Sequence, residues 1–433
     1  MNKILALRLI SYLIIFIFYI SFMSKYSPLG IEWLDWHYQR IFNAVEYLRI
    51  HGYFNFYGFS IWTQCENCDL FSSNGENKIY TSLTIFHLTP YIIVNHFFGK
   101  EALFVFGNIF DKTIIFITAF IISEIFFKIA NKLYSIKKYL ITIFCFSLFI
   151  FNPWVYKMFV SSWSEIYFLF YFLISITFLF YKKLGLGLIF LFFSGLTNHM
   201  WTFFIAIYLI MLILIPLINQ KKNLLTEYSF IDESFLKYKY IFVLVLVFPT
   251  ILFFSMSSLV NHAYGSLNGL PLLYRIGISG EDIHNGGILG ALQFMGGNRI
   301  TRCIENIDLN NLEQSIFSYN CLLSTIGMFF ISAISIYGFT LVSKYFDEIK
   351  KNTLPLCFAL LMAVCLLQQS LSAHLMGYSY VFGVIFSLGL SYLFLRLLNL
   401  FKEETLSILF LSPIAFAILL LCIRVNMLTG PNG

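Results

Sequence analysis

Glu32 and Asp35 stand one helical turn apart in Gly30-Ile-Glu-Trp-Leu-Asp-Trp-His-Tyr-Gln-Arg40. Ile31, Leu34, Tyr38, Ile41, Val45 and Leu48 recur at spacings of three and four, which is the apolar face of a helix. Glu32, Asp35, Trp36, Gln39, Asn43 and Glu46 form the adjoining polar face, so both carboxylates point the same way. Such a pair can take a proton from a hydroxyl or amine as it attacks. It can equally hold a divalent cation, Mg or Mn, that neutralises a phosphate leaving group. The plainer alternative is a solvated polar face with no chemistry.

Other polar residues could serve the same chemistry. Glu165 follows Ser162-Trp163-Ser164 and could be a second carboxylate facing Asp35, and with it a metal ligand. Ser162 lies three residues before it, so a capping box explains it as well. Lys157 could meet a phosphate. Arg275 and Arg299 lie in a Gly-rich stretch, and Arg suits bidentate phosphate binding. Gly296-Gly297-Asn298-Arg299 would present that Arg from a turn, or would simply supply positive-φ positions to a loop. His199 and His374 could each bond a phosphate or an acceptor, or sit satisfied at a helix interface.

These residues must be positioned by a very apolar chain. Of 433 residues 59% are hydrophobic and 12% charged, and Phe alone contributes 52. Soluble domains carry about 25% charge. The composition excludes a soluble enzyme, a disordered chain and a disulfide-stapled module, and predicts an all-α polytopic transmembrane bundle. The net charge of +6 reports topology rather than nucleic-acid binding. Apolar runs lie at 4–23, 102–129, 138–152, 164–181, 184–198, 202–219, 240–259, 319–343, 354–370, 379–399 and 405–423. That makes about eleven spans in a single transmembrane domain over residues 1–433.

The stretch 82–98 is ambiguous, and charge decides it. If it does not cross, Lys137, Lys138, Lys182, Lys183, Lys221 and Lys222 all fall in inner loops, as the positive-inside rule requires. Lys157 and Arg424 are then the main outer exceptions. The N-terminus is cytoplasmic, the C-terminus outside, and 82–98 is a helix on the outer face. Two outer segments carrying surface helices are long, 24–101 and 260–318. Asp111 falls near the outer end of its span beside Lys112, and Glu124 near the inner end. Neither is placed where a mid-membrane ion site is expected.

Of eight Cys, Cys145, Cys357, Cys365 and Cys422 fall within spans as small hydrophobes. Cys65, Cys68, Cys303 and Cys321 fall outside, in two pairs suited to an oxidising compartment and to disulfides. A zinc or redox site at Cys65-Glu-Asn-Cys68, or two unpaired thiols, are the alternatives.

The layout resembles the GT-C superfamily of membrane glycosyltransferases. The resemblance rests on Glu32-Trp-Leu-Asp35 after the first span, Thr89-Pro90-Tyr91 through Phe97-Phe98-Gly99 before the second, Asn152-Pro153, and Glu165. It covers residues 1–185 in layout. The family's acidic motif is commonly Asp-x-Asp, Asp-Glu or Glu-x-Asp. Here the spacing is Glu-x-x-Asp, which puts the weight on Asp35. The resemblance implies a polyprenyl-phosphate-linked sugar donor, a glycan, lipid or protein acceptor, and reaction on the outer face, periplasmic if the membrane is a bacterial inner membrane. An inactive relative would share the layout. An O-antigen polymerase or ligase also has ten to twelve spans and a long late outer loop, as a family resemblance. A transporter or lipid flippase is the alternative of another class.

Overall fold

The computed structural model describes residues 3–26, 41–42, 44–46, 48–50, 52–53, 59–63, 77–130, 135–152, 155, 164–180, 183–197, 312–346, 379–400 and 403–429, with isolated helical positions between 241 and 259. Among these residues the chain is overwhelmingly helical: α1 (Lys3–Tyr26), α2 (Ile85–Phe98), α3 (Lys100–Ile129), α4 (Ser135–Phe151), α5 (Ser164–Phe180), α6 (Leu184–Thr197), α7 (Leu312–Phe346), α8 (Ser379–Leu400) and α9 (Glu404–Thr429). All but α2 coincide with apolar runs read from the sequence. Three stretches, Lys100–Phe127, Leu322–Phe339 and Gly383–Leu400, are long and apolar enough to cross a membrane. Shorter apolar helices cover Leu5–Ser21, Ile166–Ser175, Leu184–Thr197 and Ile408–Arg424. The predicted spans 202–219 and 354–370 lie outside the described residues.

The sequence reading contains no strand, yet β1 (Phe59–Thr63) and β2 (Asn77–Thr84) form an antiparallel hairpin. Ile61 pairs with Ile79 and Trp62 with Lys78. Aromatic and β-branched residues in both segments favour the pleated form over a helix. The stretch 82–98 therefore opens as the end of β2 and becomes helical only at Ile85.

The chain forms two compact units. The first comprises 1–30, 116–160 and 276–433. In it, α4 packs on α1, α8 and α9, and α7 packs on α8 and α9. Tyr12 and Tyr19 on α1 are fully buried, and the Tyr12 ring stacks on Phe146 at 4.5 Å. Leu7, Ile10, Ile14 and Ile17, on the other face of α1, are exposed. A continuous apolar stripe of this kind marks a surface meant for lipid rather than water. The α7–α8 seam is built from small residues. A Cβ on Gly389 would lie 2.0 Å from the Ser335 carbonyl oxygen, and one on Gly338 would lie 2.3 Å from that of Gly389. Backbones this close are how spanning helices gain packing where no hydrophobic effect separates helix from lipid.

One end of this unit gathers charge. Arg8 Nη2 donates to Glu124 Oε2 at 2.9 Å, with its guanidinium over the Phe127 ring. Lys138 lies over the same ring, and Lys137 Nζ donates to the Leu398 carbonyl at 3.3 Å. The start of α1, the end of α3, the start of α4 and the end of α8 therefore meet on one side.

The second unit comprises 31–115 and 161–275. Here α5 packs on α6, while α2 packs on β2 and α6. Helix α3 contributes its first half to this unit and its second half to the other.

Candidate functional site

Two polar centres are built in the second unit. One is buried. Asp111 on α3 is 1% exposed. Its Oδ1 accepts from Tyr91 Oη on α2 at 2.8 Å and from Tyr167 Oη on α5 at 2.6 Å. The two tyrosine oxygens are themselves 2.8 Å apart. The fully buried His87 ring lies edge-on to Tyr167, with centroids 4.6 Å apart. Phe106 and Phe110 wall off Tyr91 from the α3 side. His87 and Tyr91 are four apart on α2, so one face of that short helix supplies both.

A carboxylate closed in by two phenols and three aromatic rings ties three helices at one point. The two hydroxyl donors offset the desolvation of its charge. Tyr167→Phe, which removes one of them, should destabilise the purified protein by about 1.5–3 kcal/mol. Thermal unfolding in detergent checks this, and an unchanged midpoint would contradict it.

The sequence reading places Asp111 near the outer end of its span. Helix α3 starts at Lys100 and runs 30 residues, so Asp111 is its twelfth residue.

The second centre is an open pocket of about 600 Å³ lined by Glu46, Arg49, Tyr53, Asn95, His96, Gly99 and Lys100. Residues 41–42, 44–46 and 48–50 are helical, with Ile41, Val45 and Leu48 buried as their spacing predicts. Glu46 and Arg49 come from the other side of this stretch. Arg49 grips Glu46 with Nε at 3.0 Å and Nη2 at 2.5 Å, and Asn95 Nδ2 donates to Glu46 Oε2 at 3.0 Å. Gly99 sits at φ +81°, where a Cβ is disfavoured. This residue ends α2 and lets α3 begin at once. The hydrogen bond from Arg49, helped by Asn95 and the positive charge of Lys100, holds the Glu46 carboxyl below its usual range against partial burial. A lowered folded-state value means the pair adds stability above the ordinary carboxylate range and loses it as pH falls through the lowered value. The melting difference between wild type and Glu46→Gln should thus be present at neutral pH and vanish in acid. A difference that persists unchanged in acid would contradict this.

Most residues singled out from the sequence fall elsewhere. Glu32, Asp35, Lys157, His199, Arg275, Arg299 and His374 lie outside the described residues, as do Cys65, Cys68 and Cys303. Glu165 is the second residue of α5 and Cys321 lies within α7, with the side chains of both outside the description. Asn152 closes α4: its Nδ2 donates to the carbonyls of Leu148 and Phe149, and its Oδ1 accepts from the Val155 N–H. Asn152-Pro153 is therefore a helix stop with a local mechanism. Cys145 and Cys422 are buried free thiols, as their place within spans predicts. Among the described residues no cluster of three His, Cys, Asp or Glu side chains is placed to hold a metal ion. Tyr91 enters the sequence reading only as part of Thr89-Pro90-Tyr91, and neither it nor Tyr167 is read there as a partner of an acid. The available signal was Asp111 itself, because an acid within an apolar span demands partners.

Comparison with protein-family models, curated proteins and solved structures finds no match.

Proposed function

We propose that this membrane protein is a glycosyltransferase of GT-C type. It would move a sugar from a polyprenyl-phosphate donor to a glycan, lipid or protein acceptor at the periplasmic face of a bacterial inner membrane. About eleven spans carry the chain, with the N-terminus cytoplasmic and the C-terminus outside. The acceptor oxygen or nitrogen attacks the anomeric carbon, the bond to the phosphate oxygen breaks, and polyprenyl phosphate leaves. Asp35 takes the acceptor proton, with Glu32 in support; alternatively Asp35 and Glu165 would hold a divalent cation, which would supply charge neutralisation for the leaving phosphate. Arg275, Arg299, Lys157, His199 and His374 are the residues assigned to the phosphate side.

The observation that supports this reading is the succession α1, a long segment, α2 and α3. Helix α2 has 14 residues. That is about 21 Å, short of the roughly 30 Å hydrocarbon layer. It packs sideways on β2 and α6, and Gly99 then turns the chain directly into a spanning helix. A short packed helix, a Phe-Gly turn and a span is the order that the sequence resemblance implies.

One observation favours a second reading, a transporter or lipid flippase. Asp111 is a buried acid within the apolar helix α3, and an acid inside such a helix is a functional hypothesis by default.

Topology tests the first reading directly. In a cysteine-free background, Asp35→Cys and His374→Cys should react with a membrane-impermeant maleimide added outside. Lys182→Cys should react only after permeabilisation. The reverse pattern would overturn the proposal.

A further inference from the structure

We propose that Asp111, Tyr91 and Tyr167 form a proton-binding site, in which Asp111 takes up a third proton that closes a ring of hydrogen bonds among them. Asp111 Oδ1 lies 2.8 Å from Tyr91 Oη and 2.6 Å from Tyr167 Oη, and the two phenol oxygens are 2.8 Å apart. Every side of this triangle has the length of an O–H···O hydrogen bond. Each phenol carries one proton, and an ionised carboxylate carries none. Two protons cannot bridge three sides. With both phenols turned to Oδ1, the Tyr91 and Tyr167 oxygens face each other with no proton between them. Turning either phenol towards the other leaves an unbridged side at the carboxylate instead. A donor from outside the triangle, bonding to any of its oxygens, places no proton between two of them. A third proton on Oδ1 does, because each oxygen then donates once and accepts once. That proton comes from solvent and returns to it, so the step consumes no other reactant.

The surroundings suit a proton rather than a larger ligand. Tyr91, Asp111 and Tyr167 are all buried, and the short sides leave no room within the triangle for an ion or a water. Phe106 and Phe110 pack on Tyr91, and the His87 ring packs on Tyr167. Uptake of the proton removes a buried charge. Among the described residues, the titratable groups around Asp111 are His87 and Tyr91 from α2, Tyr167 from α5, and Lys112, its neighbour on α3. Helix α6, which packs on both α2 and α5, has no titratable side chain. The charge of Lys112 favours the carboxylate, while the unbridged side of the triangle favours the acid, so the proton is exchangeable rather than fixed. This inference rests on neither the transferase nor the transporter reading, and its readout is not activity.

Infrared difference spectroscopy of the purified full chain in detergent reads the proton directly, with buffer pH and heavy water as the probes. Within the pH range over which the protein stays folded, Asp111 should give the C=O stretch of a carboxylic acid. That band is distinct from carboxylate bands and should move to lower frequency in heavy water. Aspartate labelled with carbon-13 at its side-chain carboxyl should shift the band, which separates it from glutamate without any substitution. Asp111→Asn should remove it. Tyr167→Phe, or Tyr91→Phe where the first variant does not fold, opens the ring and should move the same band while other carboxyl bands stay in place. Absence of any aspartic acid band in that pH range would overturn the proposal. So would an Asp111→Asn protein that keeps every band, or a band that the tyrosine variants leave unmoved.

Discussion

Asp35→Asn should reduce sugar transfer by about a hundred- to ten-thousand-fold, the range that loss of a positioned acid–base group produces. Asn is nearly isosteric with Asp, so packing around residue 35 is preserved. It cannot accept the acceptor proton, and it is a far weaker ligand for a divalent cation. The expected loss falls on the chemical step, so KM for the donor should change little while kcat falls. Glu32→Gln separates two versions of the account. A small effect places the whole burden on Asp35, and a loss as large as that of Asp35→Asn makes the two carboxylates one functional unit. Added Mn or Mg divides the roles further. Dependence of wild-type rate on the cation assigns Asp35 to binding metal, and indifference assigns it to moving the proton.

Gly389→Ala should be the most damaging small substitution in the described fold. The added Cβ would stand 2.0 Å from the Ser335 carbonyl oxygen and 3.0 Å from the Phe339 nitrogen. Those are backbone atoms, so relief requires moving α7 away from α8 along the whole seam. Overpacking a tight core usually costs about 1–3 kcal/mol. A clash with backbone should reach at least the upper end of that range, because the close contact at Gly338 opens with it. Gly185→Ala provides the control, since nothing lies within 4 Å of its added Cβ. Unfolding in detergent should show a large drop for Gly389→Ala and none for Gly185→Ala. Equal midpoints would mean that the seam does not have this geometry.

Hydropathy made much of the helical scaffold legible. The runs at 138–152, 164–181, 184–198, 379–399 and 405–423 match α4, α5, α6, α8 and α9 within a few residues at most ends. Apolar length is a local property, and each run carries its own signal. The hairpin carried a local signal too, in Phe59-Ser-Ile-Trp-Thr63 and Ile79-Tyr80-Thr81, but the expectation of surface helices masked it. The Asp111 centre had only the acid itself as a local signal. Its partners lie 20 and 56 residues away and come together only when α2, α3 and α5 pack. The pocket is similar. Glu46 was visible on a polar face, but Asn95 reaches it across 49 residues. The transferase residues themselves, Asp35 above all, rest on spacing, side assignment and family layout.

Turnover of a lipid-linked sugar bears most directly on the central claim. The full chain, reconstituted in vesicles with a labelled polyprenyl-phosphate sugar and membrane extract as acceptor source, should release polyprenyl monophosphate and move the label to the acceptor. The Asp35→Asn protein should do neither. Donor left intact by the wild-type chain across the common polyprenyl-phosphate sugars would contradict the account. Movement of intact donor between leaflets without cleavage would also contradict it, and would favour the flippase reading.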